Sequence, residues 1–180
     1  MKKVMSVLLA FAVCLSLGMQ AFAFSGDAVQ VEPENKQFVI GKRSDAVIDN
    51  TSTAPGTRAQ SLLFSISTST GTGFQELLVS GDNKTFKESD LTNGGLRIDG
   101  VLYTNDTVTD KYLRAGYCIY IASSDEFKAA DYARFSNGVY SSAFFDMNFW
   151  PTYTYYGFAS KDTVGDSYAH GTLYFYNASN

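Results

Sequence analysis

From residue 61 to residue 176, apolar side chains recur mainly at every second position rather than every third or fourth. That period fits a pleated strand with one buried face and does not fit an amphipathic helix. In 61–69 (SLLFSISTS), Leu62, Phe64, Ile66 and Thr68 share a face opposite a row dominated by serine. In 96–104 (LRIDGVLYT), Leu96, Ile98, Gly100 and Leu102 oppose Arg97, Asp99, Val101 and Tyr103. Segment 112–121 (YLRAGYCIYI) is largely apolar on both faces, which predicts a central strand. Further strands are expected in 74–79, 139–149, 152–159 and 169–176, and 84–90 is a short strand or a turn. Gly81-Asp82-Asn83 and Asn93-Gly94-Gly95 punctuate the series, and Asn137-Gly138 reads as a hairpin turn. Ser123 and Glu126 fit a capping box, so 124–133 is the one stretch expected as a short helix. The predicted fold is all-β, a β-sandwich or partly open barrel of about seven to eight mostly antiparallel strands.

The chain opens with Lys2 and Lys3, continues with the apolar run 4–19, and reaches Ala21-Phe22-Ala23. These are the positive, apolar and cleavage regions of a signal peptide, so residues 1–23 are expected to be removed and the rest secreted to the cell surface or beyond. The short lysine-led signal has a bacterial look. Residues 24–56 carry scattered Gly, Pro and polar runs and are expected to form a flexible leader, with one edge strand near 37–40. Residues 57–180 are expected to form a single β domain. Cleavage leaves one cysteine, Cys118, which has no partner for an intrachain bridge and reads as a buried thiol.

The processed chain holds 12 Lys plus Arg against 18 Asp plus Glu. Without clustered cations it is a poor match for nucleic acid or for an anionic lipid surface. No later segment is long and apolar enough to cross a membrane as a helix. Cys118 and His170 are too few for a tight zinc site, and no phosphate loop or nucleophile elbow occurs. No cofactor is therefore expected. The one exception is structural calcium, at Asp82, Asn83, Glu88 and Asp90 or at Asn105, Asp106 and Asp110.

The feature that points toward function is aromatic. Segment 149–158 (FWPTYTYYGF) packs Trp150, Tyr153, Tyr155 and Tyr156 beside Asp146 and Asn148, with Tyr140, Tyr168, Tyr174 and Tyr176 in neighbouring segments. Exposed tyrosine and tryptophan offer rigid amphipathic surface for a sugar ring or a protein. The expectation is a secreted, non-enzymatic binding module for an extracellular glycan or protein, using Trp150, Tyr153, Tyr155, Tyr156, Asp146 and Asn148. One rival is a bacteriocin-like or pore-forming toxin, suggested by the Ser/Thr-rich strand at 65–72. Another is a hydrolase using paired carboxylates such as Asp99 and Asp146.

Overall fold

A computed structural model describes residues 26–27, 29–30, 39–50, 61–71, 73–105, 113–146, 149–161 and 168–179. The expected signal peptide lies outside the described residues, as does much of the expected leader. The strands are β1 (Gly26–Asp27), β2 (Val29–Gln30), β3 (Val39–Lys42), β4 (Val47–Asp49), β5 (Ser61–Thr68), β6 (Leu77–Ser80), β7 (Thr85–Phe86), β8 (Gly95–Thr104), β9 (Leu113–Ile121), β10 (Glu126–Phe135), β11 (Ser141–Asp146), β12 (Tyr155–Lys161) and β13 (Ala169–Ala178). One sheet runs β1-β11-β8-β13-β5. The other runs β2-β10-β9-β12-β6-β4, with β3 also on β10 and β7 also on β12. All pairings are antiparallel except β1 with β11 and β4 with β6. The all-β expectation holds.

The pairings nest. β9 pairs with β10, β8 with β11, β6 with β12, and β5 with β13. The chain is thus a long hairpin rolled so that its layers alternate between two sheets, which is the jelly-roll winding. Between the sheets lies the main core, with Phe64, Ile66, Ile98 and Phe175 from one side and Tyr117, Phe135, Tyr155 and Ala159 from the other. Two glycines let the middle strands approach. Gly100 (φ 157°) and Gly171 (φ 149°) lie on β8 and β13, and a Cβ on either would collide with the facing backbone carbonyl of Thr172 or Val101.

The two faces of β9 behave as their sequence implies. Leu113, Ala115, Tyr117 and Ile119 enter the main core. Cys118 joins a second cluster with Leu77, Val79, Phe127, Ala129 and Phe158 on the far side of the same sheet. Burial and neighbouring charge hold the Tyr117 phenol far above its ordinary pKa. The unfolded tyrosine ionises near pH 10 while the folded one keeps its proton. Stability from this group is therefore complete below about pH 10 and falls above it, by up to about 1.4 kcal/mol per pH unit. Urea midpoints measured from pH 8 to 11.5 should be level and then decline. In Tyr117→Phe the decline should be shallower.

From Glu126 onward, segment 124–133 is a strand, contrary to the helix expected there. Residues 122–125 form the β9–β10 turn, with Asp125 at φ 54°, and β10 begins at Glu126. The pairing register slips between Ala129 and Asp131. That bulge inserts one residue and reverses which face the side chains take. Phe127 and Ala129 therefore enter the second cluster, while Ala133 and Phe135 enter the main core. Read linearly, the switch destroys the period-two signal.

Residues 39–49 fall within the expected leader and contribute two strands and a cover; β3 lies where one edge strand was expected near 37–40, and β4 was not expected. β3 is bonded to β10 and β4 to β6, at opposite edges of one sheet. A flat sheet would separate those strands by five spacings, about 24 Å. The five Cα steps from Lys42 to Val47 reach at most about 18 Å when fully extended, and a 3-10 turn at Arg43–Asp45 shortens them. The sheet must therefore curl, and Ile40, Ala46 and Ile48 pack over the second cluster. Arg43 latches this strap. Its guanidinium lies 2.9 and 3.0 Å from the two Asp82 oxygens and 5.0 Å from the Tyr120 ring centroid, while the Tyr156 hydroxyl donates to Asp82 at 3.1 Å. Burial pushes the Cys118 thiol well above its usual pKa, so it is protected by both access and protonation. Arg43→Ala should loosen the strap and raise the rate of Cys118 labelling by a maleimide severalfold at neutral pH. An unchanged rate would show that the latch does not hold the strap.

Candidate functional site

In a sandwich the outward face of a sheet ordinarily carries polar side chains. The outward face of the five-stranded sheet carries tyrosines. Register aligns them. Ser142, Asp99, Tyr174 and Ser65 form one cross-strand row, Phe144, Arg97 and Tyr176 the next, and Tyr103 and His170 pair further along. The alternation that sends Leu96, Ile98, Leu173 and Phe175 inward sends these residues outward. Tyr140 joins them from the β10–β11 connection. That connection crosses between sheets rather than forming the hairpin expected at Asn137-Gly138. Asn137 clamps it to β8, accepting from the Thr104 N–H at 2.9 Å and donating to the Thr104 carbonyl at 2.9 Å.

At the centre sits Asp99, only 6% exposed. Its Oδ1 accepts from Arg97 Nε at 2.8 Å and from Ser142 Oγ at 2.6 Å, and Arg97 Nε also lies 3.0 Å from Ser142 Oγ. Charge-assisted donors thus meet one oxygen of this buried carboxylate. The same bond raises the Arg97 pKa. Burial, then the negative charge of Asp99, raises the Tyr140 and Tyr176 phenols, which remain protonated donors at neutral pH. Tyr174 and Tyr176 lie 6.4 Å apart between ring centroids, and Tyr103 stacks on His170 at 5.3 Å. Tyr140 and Tyr103 are exposed, and Tyr174, Tyr176, Phe144 and Arg97 are half-buried.

The residues expected from the 149–158 segment do not form one patch. Trp150 is 66% exposed and Tyr153 44% exposed, on the turn before β12. Tyr155 points the other way, into the main core, where its ring stacks on Phe86 at 5.4 Å. Its hydroxyl oxygen accepts the Trp150 N–H at 2.7 Å. Tyr156, one residue on, is on the opposite side against the second cluster and Asp82. Asp146 is exposed at the end of β11, and Asn148 lies outside the described residues.

Asp99 and Asp146 share an outward face but are about four residues apart along the sheet, since Ser142 is the partner of Asp99. That spacing is about 14 Å, beyond the separations used by paired glycosidic carboxylates. Asp82 is ion-paired with Arg43, and Asp90 Oδ2 accepts the Lys87 N–H, so these two expected calcium ligands are directed elsewhere. Asp106 and Asp110 lie outside the described residues. Among the described residues no grouping of three or more His, Cys, Asp or Glu is placed to hold a metal ion, and no helix is long and apolar enough to cross a membrane. The His170 ring stacks on Tyr103.

What sequence reading missed was the register. Tyr140, Tyr174 and Tyr176 stand out as aromatics, and Arg97 and Asp99 as the outward half of an alternating strand. A pattern confined to single strands does not say that β8, β11 and β13 are neighbours. No protein-family model, curated protein or solved structure matches the chain.

Proposed function

We propose that the chain is a secreted, non-enzymatic binding module, and that it docks an extracellular glycan on the tyrosine-bearing face of the five-stranded sheet. The observation that carries this reading is the row of half-buried tyrosines around the Asp99–Arg97–Ser142 cluster. Tyrosines on a rigid sheet lose little entropy on binding and offer flat apolar faces beside hydroxyl donors. Sugar rings need both, because their C–H faces are apolar and their edges are hydroxyls. Secretion rests on the amino-terminal pattern, and amino-terminal sequencing of exported protein should begin at Phe24.

The test is retention of the mature protein on insoluble polysaccharides, followed by calorimetry with soluble ones. Tyr174→Ala/Tyr176→Ala should lower affinity about tenfold or more, as expected for losing two aromatic contacts. Trp150→Ala, on the turn before β12, should bind as the native protein does. If Trp150→Ala abolished binding and the double tyrosine variant did not, the site would belong to the turn instead. Failure to bind any polysaccharide would overturn the reading.

A further inference from the structure

The Asp99 carboxylate uses one of its two oxygens. Oδ1 takes both donors, Arg97 Nε and Ser142 Oγ. Among the described residues, Oδ2 has no hydrogen-bond partner, and neither do the two terminal nitrogens of Arg97. An accepting oxygen and a set of donating N–H groups are thereby held side by side, the carboxylate almost fully buried and the guanidinium about one-third exposed. Neither group is among the fully buried unsatisfied atoms, so both reach solvent and are open to a ligand that supplies the complementary pair.

We propose that this pair reads a vicinal diol of an uncharged sugar unit, with one hydroxyl donating to Asp99 Oδ2 and its neighbour accepting from Arg97. The inference rests on the binding reading above and names the ligand class of that same site. Three observations favour a diol over other chemistry. Each hydroxyl both donates and accepts, so adjacent hydroxyls can meet an acceptor and a donor at once. An anionic group would meet an Arg97 already neutralised by Asp99 at 2.8 Å and would be repelled by that carboxylate. A cationic group would find Asp99 already paired. The flanking rings of Tyr174 and Tyr176 then cover the apolar face of the same unit. From Tyr176 to His170 the row along β13 runs six residues, about 20 Å, so an extended chain has room for neighbouring units.

The experiment uses the mature protein and three polysaccharides. Dextran carries adjacent free hydroxyls on every unit. A linear 1,3-linked glucan is neutral but lacks vicinal diols within its chain. Alginate carries vicinal diols together with carboxylates. Dextran should bind, and periodate oxidation, which cleaves vicinal diols, should abolish its binding. The 1,3-glucan and alginate should bind at least tenfold more weakly. Asp99→Asn and Arg97→Lys should each weaken dextran binding about tenfold or more, with thermal unfolding showing that both variants are folded. Should Asp99→Asn fail to fold, Arg97→Lys and the periodate comparison decide alone. If the 1,3-glucan or periodate-treated dextran bound as well as dextran, the diol assignment would be overturned while glycan binding stood. If none of the three bound, and no other polysaccharide did, both proposals would fall together.

Discussion

Asp49→Ala will destabilise the protein by about 3–5 kcal/mol, seen as a fall in the urea midpoint at unchanged slope. Asp49 ends the strap, and its Oδ2 lies 3.3 Å from the Lys84 ammonium, with both side chains buried. The pair does more than neutralise itself. β5 is the open edge of the five-stranded sheet, and an open edge leaves unpaired backbone groups. Asp49 Oδ2 accepts the Ser67 N–H at 2.8 Å and Lys84 Nζ donates to the Ser65 carbonyl at 2.8 Å. Removing Asp49 leaves a buried ammonium short of its counter-charge and strips an edge N–H of its acceptor. Asp49→Ala/Lys84→Met should recover only part of the loss, because the Ser67 N–H still loses its Asp49 acceptor. Added salt should change little, since the pair is shielded from solvent. A loss below about 0.5 kcal/mol for Asp49→Ala would mean that the ion pair is not formed in solution.

Tyr155→Ala will cost about 3–5 kcal/mol, while Trp150→Ala, five residues earlier, will change stability by less than about 0.5 kcal/mol. The contrast follows from burial. Tyr155 is 2% exposed and packs on Phe86, Tyr117 and Phe149 at centroid distances of 5.3–5.6 Å. Trp150 projects into solvent. Tyr155→Phe keeps the ring and loses the acceptor for the Trp150 N–H, a loss of about 1 kcal/mol. Trp150 is the chain's only tryptophan. Its emission should be that of an exposed indole, quenched by acrylamide without denaturant, and its anisotropy should fall in Tyr155→Phe as the turn loosens. A blue-shifted, unquenched signal would contradict this placement.

Legibility varied with how local each signal was. Segment 113–121 was readable because both faces of one strand are apolar, and that required a sheet covered on both sides. β8 and β13 were readable in the same way, down to which residues face inward. β10 was not, because its bulge reverses the alternation in mid-strand. In the strap an edge strand near 37–40 was readable, but β4 and the path of the strap were not, because its short strands find partners on β6 and β10, some 30 to 90 residues away. The neighbours Tyr155 and Tyr156 looked equally suited to a surface patch. Only the tertiary structure showed that Tyr155 enters the main core while Tyr156 lies half-buried on the opposite face against the second cluster.

By itself the sequence determined that this chain is a β protein, which strands are apolar on one face and which on two, and which side chains of β8 and β13 turn outward. Those properties follow from backbone geometry, since side chains alternate wherever a strand is regular. The tertiary structure decided which strands are neighbours, where the register slips, what covers the second cluster, and that Arg97, Asp99, Ser142, Tyr174 and Tyr176 meet on one face. These are choices between distant segments, made by the burial available to the whole chain. A period-two pattern is the same whichever partner satisfies it.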